Sequence, residues 1–434
     1  MAEPMSDYSL AALHRAGIKQ DLLFFGLNRV LPGALGLLTR FRPVLNVPGS
    51  NFTIVTGFDE VQEVFSRQRD FEVPYEAQME VLEWKNFVLA MQDTDQYHHI
   101  LGNMMALWRP DDMERIAEIV RHTAGDILQA STGLIDLISD LVTPTLLAIV
   151  EQYYGVGVSS ENQQSFFDGN LAGSGFVFSG PKISDKKAAG ARAAVAAVWP
   201  VIDAAMDKAR TAAAAGEPVG DHETVLDRYY RSGPTGADTQ DFLEDEMRSS
   251  MMAMIGGFLP TDTNAAGRIL VTLMENPDAR RFVQQAHQGD DDESLLRGLH
   301  ETLRLNYIIP LLWRRANGDQ QLGVALAPDD RTTIADGRIL AISLQSAMAD
   351  RRRVPKPDVF NADRSRDDYL IYGHRFHYCV GARISDTILL ELFKLLLSVN
   401  ARKPEDASRQ EIRWVGMYPW NVWIDHDQLG ELPE

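Results

Sequence analysis

Apolar residues recur at helical spacing along most of the chain. The clearest run follows Ala382, where Ile384, Ile388, Leu392, Leu395 and Leu396 mark one buried face of a helix. A longer run opens at Asp241-Phe242-Leu243-Glu244, which has the spacing of a capping box, and stops at Asn276-Pro277. That predicts a helix of about 35 residues, roughly 50 Å long, crossing a whole domain. Residues 112–210 predict several helices separated by Gly/Ser turns, and alanine-rich 189–215 predicts helix. Two stretches interrupt the pattern: 165–182, with four phenylalanines, predicts a loop, and 216–236 a loop-rich connector. Strands are short. Val44–Val47 and Asn51–Val55 flank Pro48-Gly49-Ser50 as a hairpin, with a short helix over 59–65 after them. Residues 1–43 predict a helical lead-in, and 412–424 alternate as a second hairpin whose turn spans 416–420.

Composition adds the class. Hydrophobic residues at 45% and charged residues at 24% over 434 positions describe a soluble globular protein with a large core. Sixty-one acidic against forty-two basic residues give a net charge of −19, which disfavours phosphate backbones and anionic membrane surfaces. Nucleic acid is not an expected partner. The apolar run 22–38 is broken by Asn28, Arg29, Pro32 and three glycines, so no membrane span is expected there. One cysteine permits no intrachain disulfide, and the cytoplasm is the expected compartment.

That cysteine, Cys379, lies in Tyr372-Gly373-His374-Arg375-Phe376-His377-Tyr378-Cys379-Val380-Gly381, directly ahead of the helix that starts at Ala382. A thiol at a helix N-terminus feels the positive end of the dipole and free N–H groups, which favour thiolate. Residue type alone leaves three roles open. The cysteine is a small buried hydrophobe, a hydrolase nucleophile with one of ten histidines as base, or a metal ligand.

The ten-residue stretch resembles the haem-binding loop of the cytochrome P-450 superfamily, F-x-x-G-x-H-x-C-x-G, commonly with a glycine right after the Phe. Gly373, His377, Cys379 and Gly381 fall on matching positions, while Tyr372 replaces Phe and Arg375 replaces Gly. A non-glycine residue forced to positive φ there costs about 1 kcal/mol or more. The resemblance implies a predominantly helical α+β fold over residues 1–434 as one domain, a large helical lobe with a long central helix beside a small β-rich lobe. It also implies haem b with Cys379 as axial thiolate and His377 in the cofactor loop.

Other segments resemble the family in the order the fold requires. Glu301-Thr302-Leu303-Arg304 matches E-x-x-R, whose acid and base share a helix face. Arg314 matches a strand arginine that binds a haem propionate, for which a guanidinium fork is suited. The meander 354–364 has Val359 where an arginine usually joins the E-x-x-R network, so another basic residue or a smaller network is expected. Where relatives place a propionate-directed His and Arg, this chain has Tyr97 and Leu101, leaving His98 or His99 as substitutes. Gly256 and Gly257 match the central helix, but Leu259 and Pro260 stand on its acid and alcohol. Proline predicts a kink at that point, with Thr261 presenting its hydroxyl instead. The implied pocket is lined by Phe87, Val88, Phe258, Leu259, Ile308 and Ile309, with Leu311 and Leu312 beside them.

The activity this implies is a monooxygenase acting on a lipophilic small molecule, with electrons from a separate ferredoxin and ferredoxin reductase. Arg375 and Arg383 would dock the electron donor. The Leu259-Pro260 replacement supports an alternative, peroxide-driven turnover or rearrangement without external electrons. A haem-based binding or sensing protein without turnover is a third reading.

Overall fold

The computed structural model describes residues 31–131, 133–233, 242–309, 311–415 and 418–430. Most of the lead-in therefore falls outside the described residues, which begin with a helix at Leu31–Phe41. The expected hairpin is present as β1 (Val44–Asn46) and β2 (Phe52–Val55), antiparallel with Val44 opposite Val55. Gly49 takes positive φ in its turn. Three further strands complete a five-stranded sheet: β3 (Phe71–Glu72), β4 (Leu312–Ala316) and β5 (Ile339–Ile342), ordered β1-β2-β5-β4-β3. Chain segments almost 300 residues apart thus share one small lobe, with β2 parallel to β5. The second hairpin pairs Arg413–Val415 with Tyr418–Asn421, and Trp423–Asp425 then pairs with Leu134–Asp136. Residues 416 and 417 of its turn lie outside the described residues.

The rest is helical. The central helix runs from Glu244 to Glu275, 32 residues or about 48 Å, and is buried along nearly its whole length. It begins two residues later than the capping-box spacing predicts, with Leu243 rather than Asp241 as the cap. Asp241 lies outside the described residues, and the N-terminal N–H that is capped belongs to Leu243, which donates to Glu246 at 3.0 Å. Asn276 ends the helix and caps the next one, accepting from Asp278 and Ala279 N–H at 3.1 Å. The helix Ala382–Ser398 packs against Asp112–Ala130 and crosses the central helix.

The expected loop at 165–182 is instead a helix, Gln163–Phe178. Its glycines are crossing points rather than breaks. A Cβ on Gly173 would lie 2.6 Å from the Trp84 ring, so glycine lets two buried elements approach. The connector 216–236 likewise holds a helix, Val225–Arg231, closed by a Thr224/Asp227 capping box. Residues 185–214 are the one described stretch apolar and long enough to cross a membrane, but they divide into helices of 11 and 16 residues at a turn over 196–198.

Candidate active site

The cysteine loop is a tight turn held by its own backbone, by two outside side chains and by one of its own side chains reaching an outside carbonyl. Cys379 N–H donates to Tyr372 O at 2.9 Å, and Gly373 N–H to Leu370 O at 2.9 Å. Arg375 occupies the left-handed region at φ +57, so the loop keeps its glycine-type shape with a strained arginine in place. Tyr97 donates its hydroxyl to Phe376 O at 3.1 Å, Tyr307 to Ile371 O at 3.0 Å, and His377 Nε2 meets Met91 O at 3.1 Å. Tyr97, on the position where relatives carry His, is thus an anchor of the loop.

Cys379 opens into a cavity that offers about 210 Å³ to the centres of water-sized molecules. Burial pushes its thiol up to about 11, outweighing the Gly381 N–H that pulls the other way. The expected thiolate preference therefore fails for the free side chain: the helix terminus is too weak to offset desolvation.

The cavity walls are apolar. Phe87, Val88, Phe258, Ile308, Ile309 and Leu312 line them as expected, and Trp84 joins them. Leu259 does not. It is buried, but off the cavity. The reason is the helix itself, which is unbroken through Pro260. Without a break, the 3.6-residue period brings Met254, Gly257, Phe258, Thr261, Asp262 and Ala265 to the cavity and turns Leu259 and Pro260 away. Thr261 donates its hydroxyl to Gly257 O at 2.5 Å and Phe258 O at 3.2 Å, beside the N–H that proline deletes.

His377 lines this space, and Arg314, off its lining, is close enough to act on His377 by charge. Arg314 is buried over the Phe65 ring, donates only to Trp313 O at 2.8 Å, and faces no carboxylate among the described residues. Burial lowers its pKa to about 10. His377 is lowered to about 3, by burial first and by the Arg314 charge second. A buried guanidinium without an anion, next to a neutral imidazole, fits a ligand carboxylate. With Cys379 facing the same cavity, the donor set fits a haem carrying propionates. His98 is not part of it. Its side chain is 60% exposed and meets Asp93 at 2.8 Å, because it lies on the outer face of its helix. His99 lies against Asn103 at 3.1 Å and Glu246 at 3.6 Å, also off the cavity.

Behind the loop, Glu301 and Arg304 form a bidentate pair at 2.7 and 2.8 Å. The basic residue that replaces Val359 in the network is Arg364, 3.2 Å from Glu301. Tyr369 OH and Asn361 N–H donate to the same carboxylate at 3.0 Å, and Arg304 donates to Met348 O and Pro357 O. The network ties the meander to the helix beneath the cysteine loop. Sequence reading missed Arg364 and Asp262. Arg364 follows Val359 by five residues in a coil segment, without periodicity to mark it. Asp262 was detectable by continuing the 254/258 stripe one turn further.

No family model matches the chain. Over 143 residues it is 28% identical to cytochrome P-450 107B1 of Saccharopolyspora erythraea, covering 33% of this chain and 32% of that protein. Over 150 residues it is 28% identical to cyclomarin C epoxidase CymV of Salinispora arenicola, covering 34% of each. The matched segments thus span about a third of the length of these curated relatives. Solved structures agree over almost everything. P450BioI bound to an acyl carrier protein carrying a hexadecenoic acid superposes with TM-score 0.72 at 15% identity, over 94% of this chain and 100% of that one. An intact type IV self-sufficient cytochrome P-450 monooxygenase superposes with TM-score 0.70 at 18% identity, over 92% of this chain and 51% of that one.

Proposed function

We propose that the chain is a member of the cytochrome P-450 superfamily, a haem-thiolate monooxygenase that inserts one oxygen atom into a lipophilic small molecule, a reading supported by its similarity to bacterial cytochromes P-450 and by the shared fold. The observation that carries this reading is Cys379 opening into an apolar cavity, with the buried Arg314, which acts by charge on the cavity residue His377, facing no carboxylate among the described residues. Cys379 would ligate the iron as thiolate, the metal supplying the charge that burial otherwise denies the thiol. Arg314 and His377 would hold a propionate. Bound haem supplies the iron at which dioxygen is reduced and activated.

The chain's own residues do the rest. Trp84, Phe87, Val88, Phe258, Ile308 and Ile309 bind apolar substrate by burying its surface and exclude water from the reacting region. Thr261 is the hydroxyl nearest the role of the family's alcohol. It stands on the cavity face, holds its own proton on Gly257 O, and can pass a proton inward when that bond exchanges for one to water. The alternative of peroxide-driven turnover or rearrangement rests on Leu259 and Pro260 replacing the acid and alcohol; both lie off the cavity lining while Thr261 is on it, which favours the monooxygenase reading. Electrons would come from a separate ferredoxin and its reductase. Exposed Arg375 and Arg383 flank the cysteine as docking charges, and the setting is cytoplasmic.

The test is spectral and then catalytic. Purified protein should bind one haem and give the far red-shifted Soret band of thiolate ligation as its reduced carbon monoxide complex. A candidate library should then turn over with ferredoxin plus reductase and not with peroxide alone. A band at the position of histidine-ligated haem, or turnover by peroxide at least as fast as by the redox partner, overturns the reading.

A further inference from the structure

Asp262 is a cavity group to which the monooxygenase reading assigns no task. It is 3% exposed on the central helix, within the lining of the cavity. One carboxylate oxygen accepts a hydrogen bond from Ser385 Oγ, on the first turn of the helix that starts at Ala382, and its Oδ2 has no hydrogen-bond partner among the described residues. This bond joins the helix on one side of the cavity to the helix that follows Cys379 on the other. A buried carboxyl with one satisfied oxygen carries a proton on the second or pays for a bare charge.

The ionisable groups around it leave that balance close. From the cysteine loop come Cys379 and Tyr372, from the helix after it Asp386, and from the segment ending at Gly155 comes Tyr154; each is coupled to Asp262 by charge, and none is basic. Burial raises the Asp262 pKa to about 7, with the Ser385 hydrogen bond opposing and Asp386 adding. The coupling is reciprocal. An ionised Asp262 makes negative charge at Cys379 costlier, as its effect on that thiol shows.

We propose that Asp262, positioned by Ser385, is a redox-linked proton site for the group that Cys379 ligates. As one electron arrives from the ferredoxin-type donor, the Asp262 carboxylate takes one proton from solvent, forming the O–H bond on Oδ2 and leaving the net charge of the pocket unchanged. Asp262 acts here through its field rather than by touching the reacting atoms, so it is a positioning residue. The inference rests on the haem-thiolate reading.

Spectroelectrochemical titration of the haem-loaded protein between pH 5.5 and 8.5 tests it. The wild-type midpoint potential should fall with rising pH through neutrality, by up to ~59 mV for each tenfold drop in proton concentration under full one-electron, one-proton coupling. Asp262→Asn should flatten this dependence. Ser385→Ala should move the break to higher pH, because the lost hydrogen bond favoured the carboxylate. A flat wild-type profile, or an Asp262→Asn profile with the wild-type slope, overturns the proposal. If Asp262→Asn does not fold, the Ser385→Ala break decides: a shifted break supports the site, an unshifted one overturns it. Absence of the thiolate Soret band would instead refute the haem-thiolate reading, so the two failures are separable.

Discussion

Replacing Glu301 with alanine should be among the most damaging single changes in the protein. Glu301 is fully buried, with 0% of its side chain exposed, and Arg304 is 1% exposed. The carboxylate receives four partners: Arg304 through two bonds, Arg364, Tyr369 OH and Asn361 N–H. Breaking a buried ion pair by removing one partner costs about 3–5 kcal/mol, because the other charge stays buried and uncompensated. Arg304 keeps two carbonyl acceptors, Met348 O and Pro357 O, which holds its loss toward the lower end. Arg364 keeps three, Pro355 O, Lys356 O and Val359 O. Tyr369 and Asn361 each lose a hydrogen bond, worth about 1 kcal/mol apiece. The sum is about 5 kcal/mol, against a total stability of about 5–15 kcal/mol for a typical protein. Urea unfolding at neutral pH, followed by tryptophan fluorescence, should show the midpoint of Glu301→Ala lowered by about a third or more, and expressed protein should be poor in haem. Arg364→Ala should cost less, since Glu301 retains Arg304. A Glu301→Ala variant within about 1 kcal/mol of wild type, or an Arg364→Ala variant that is equally damaged, would refute the assignment of Arg304 as the main partner.

Cys379→Ser should abolish the red-shifted carbon monoxide band while leaving the far-ultraviolet circular dichroism unchanged. Arg314→Leu should weaken haem retention at least tenfold in a transfer assay to apomyoglobin, since the variant lacks the guanidinium proposed to hold a propionate. Thr261→Ala should uncouple electron use from product with released peroxide, and Thr261→Ser should stay near wild type. Arg375→Gly should raise stability by about 0.5–1 kcal/mol in the same urea assay, because φ +57 strains arginine and not glycine.

How much of this was legible in the sequence divides along a physical line. The cysteine loop, the E-x-x-R pair, the hairpin and the long helix carry local signatures: spacing, caps, turn residues. All four appear where expected. The loop predicted at 165–182 was a misreading of composition, because glycine serves equally for breaking a helix and for letting one pack close, and only the position of Trp84 across from Gly173 distinguishes them. His98 and His99 fell to the same limit. A helix has several faces, and residue type does not say which one meets the cavity. Arg364 is reached through tertiary packing of the meander, which no local pattern encodes.

The central helix shows how one substitution changes the meaning of its neighbours. Aligned residue by residue, Leu259 and Pro260 erase an acid and an alcohol, and the site looks disarmed. The helix is continuous through Pro260, however, so the face presented to the cavity is set by the period and not by the alignment. Two positions on from Leu259 and Pro260, Thr261 and Asp262 lie there, an alcohol next to an acid in reversed order. The proline removes the N–H that would bond Gly256 O, whereas the Thr261 hydroxyl bonds the next carbonyl along, Gly257 O, so the two are separate features of the turn. Pro260→Ala should therefore restore a backbone bond without moving the polar pair off the cavity face, and leave coupling efficiency close to wild type. If coupling collapses instead while the fold and haem content stay intact, the pair depends on the proline for its placement, and the period alone does not account for the site.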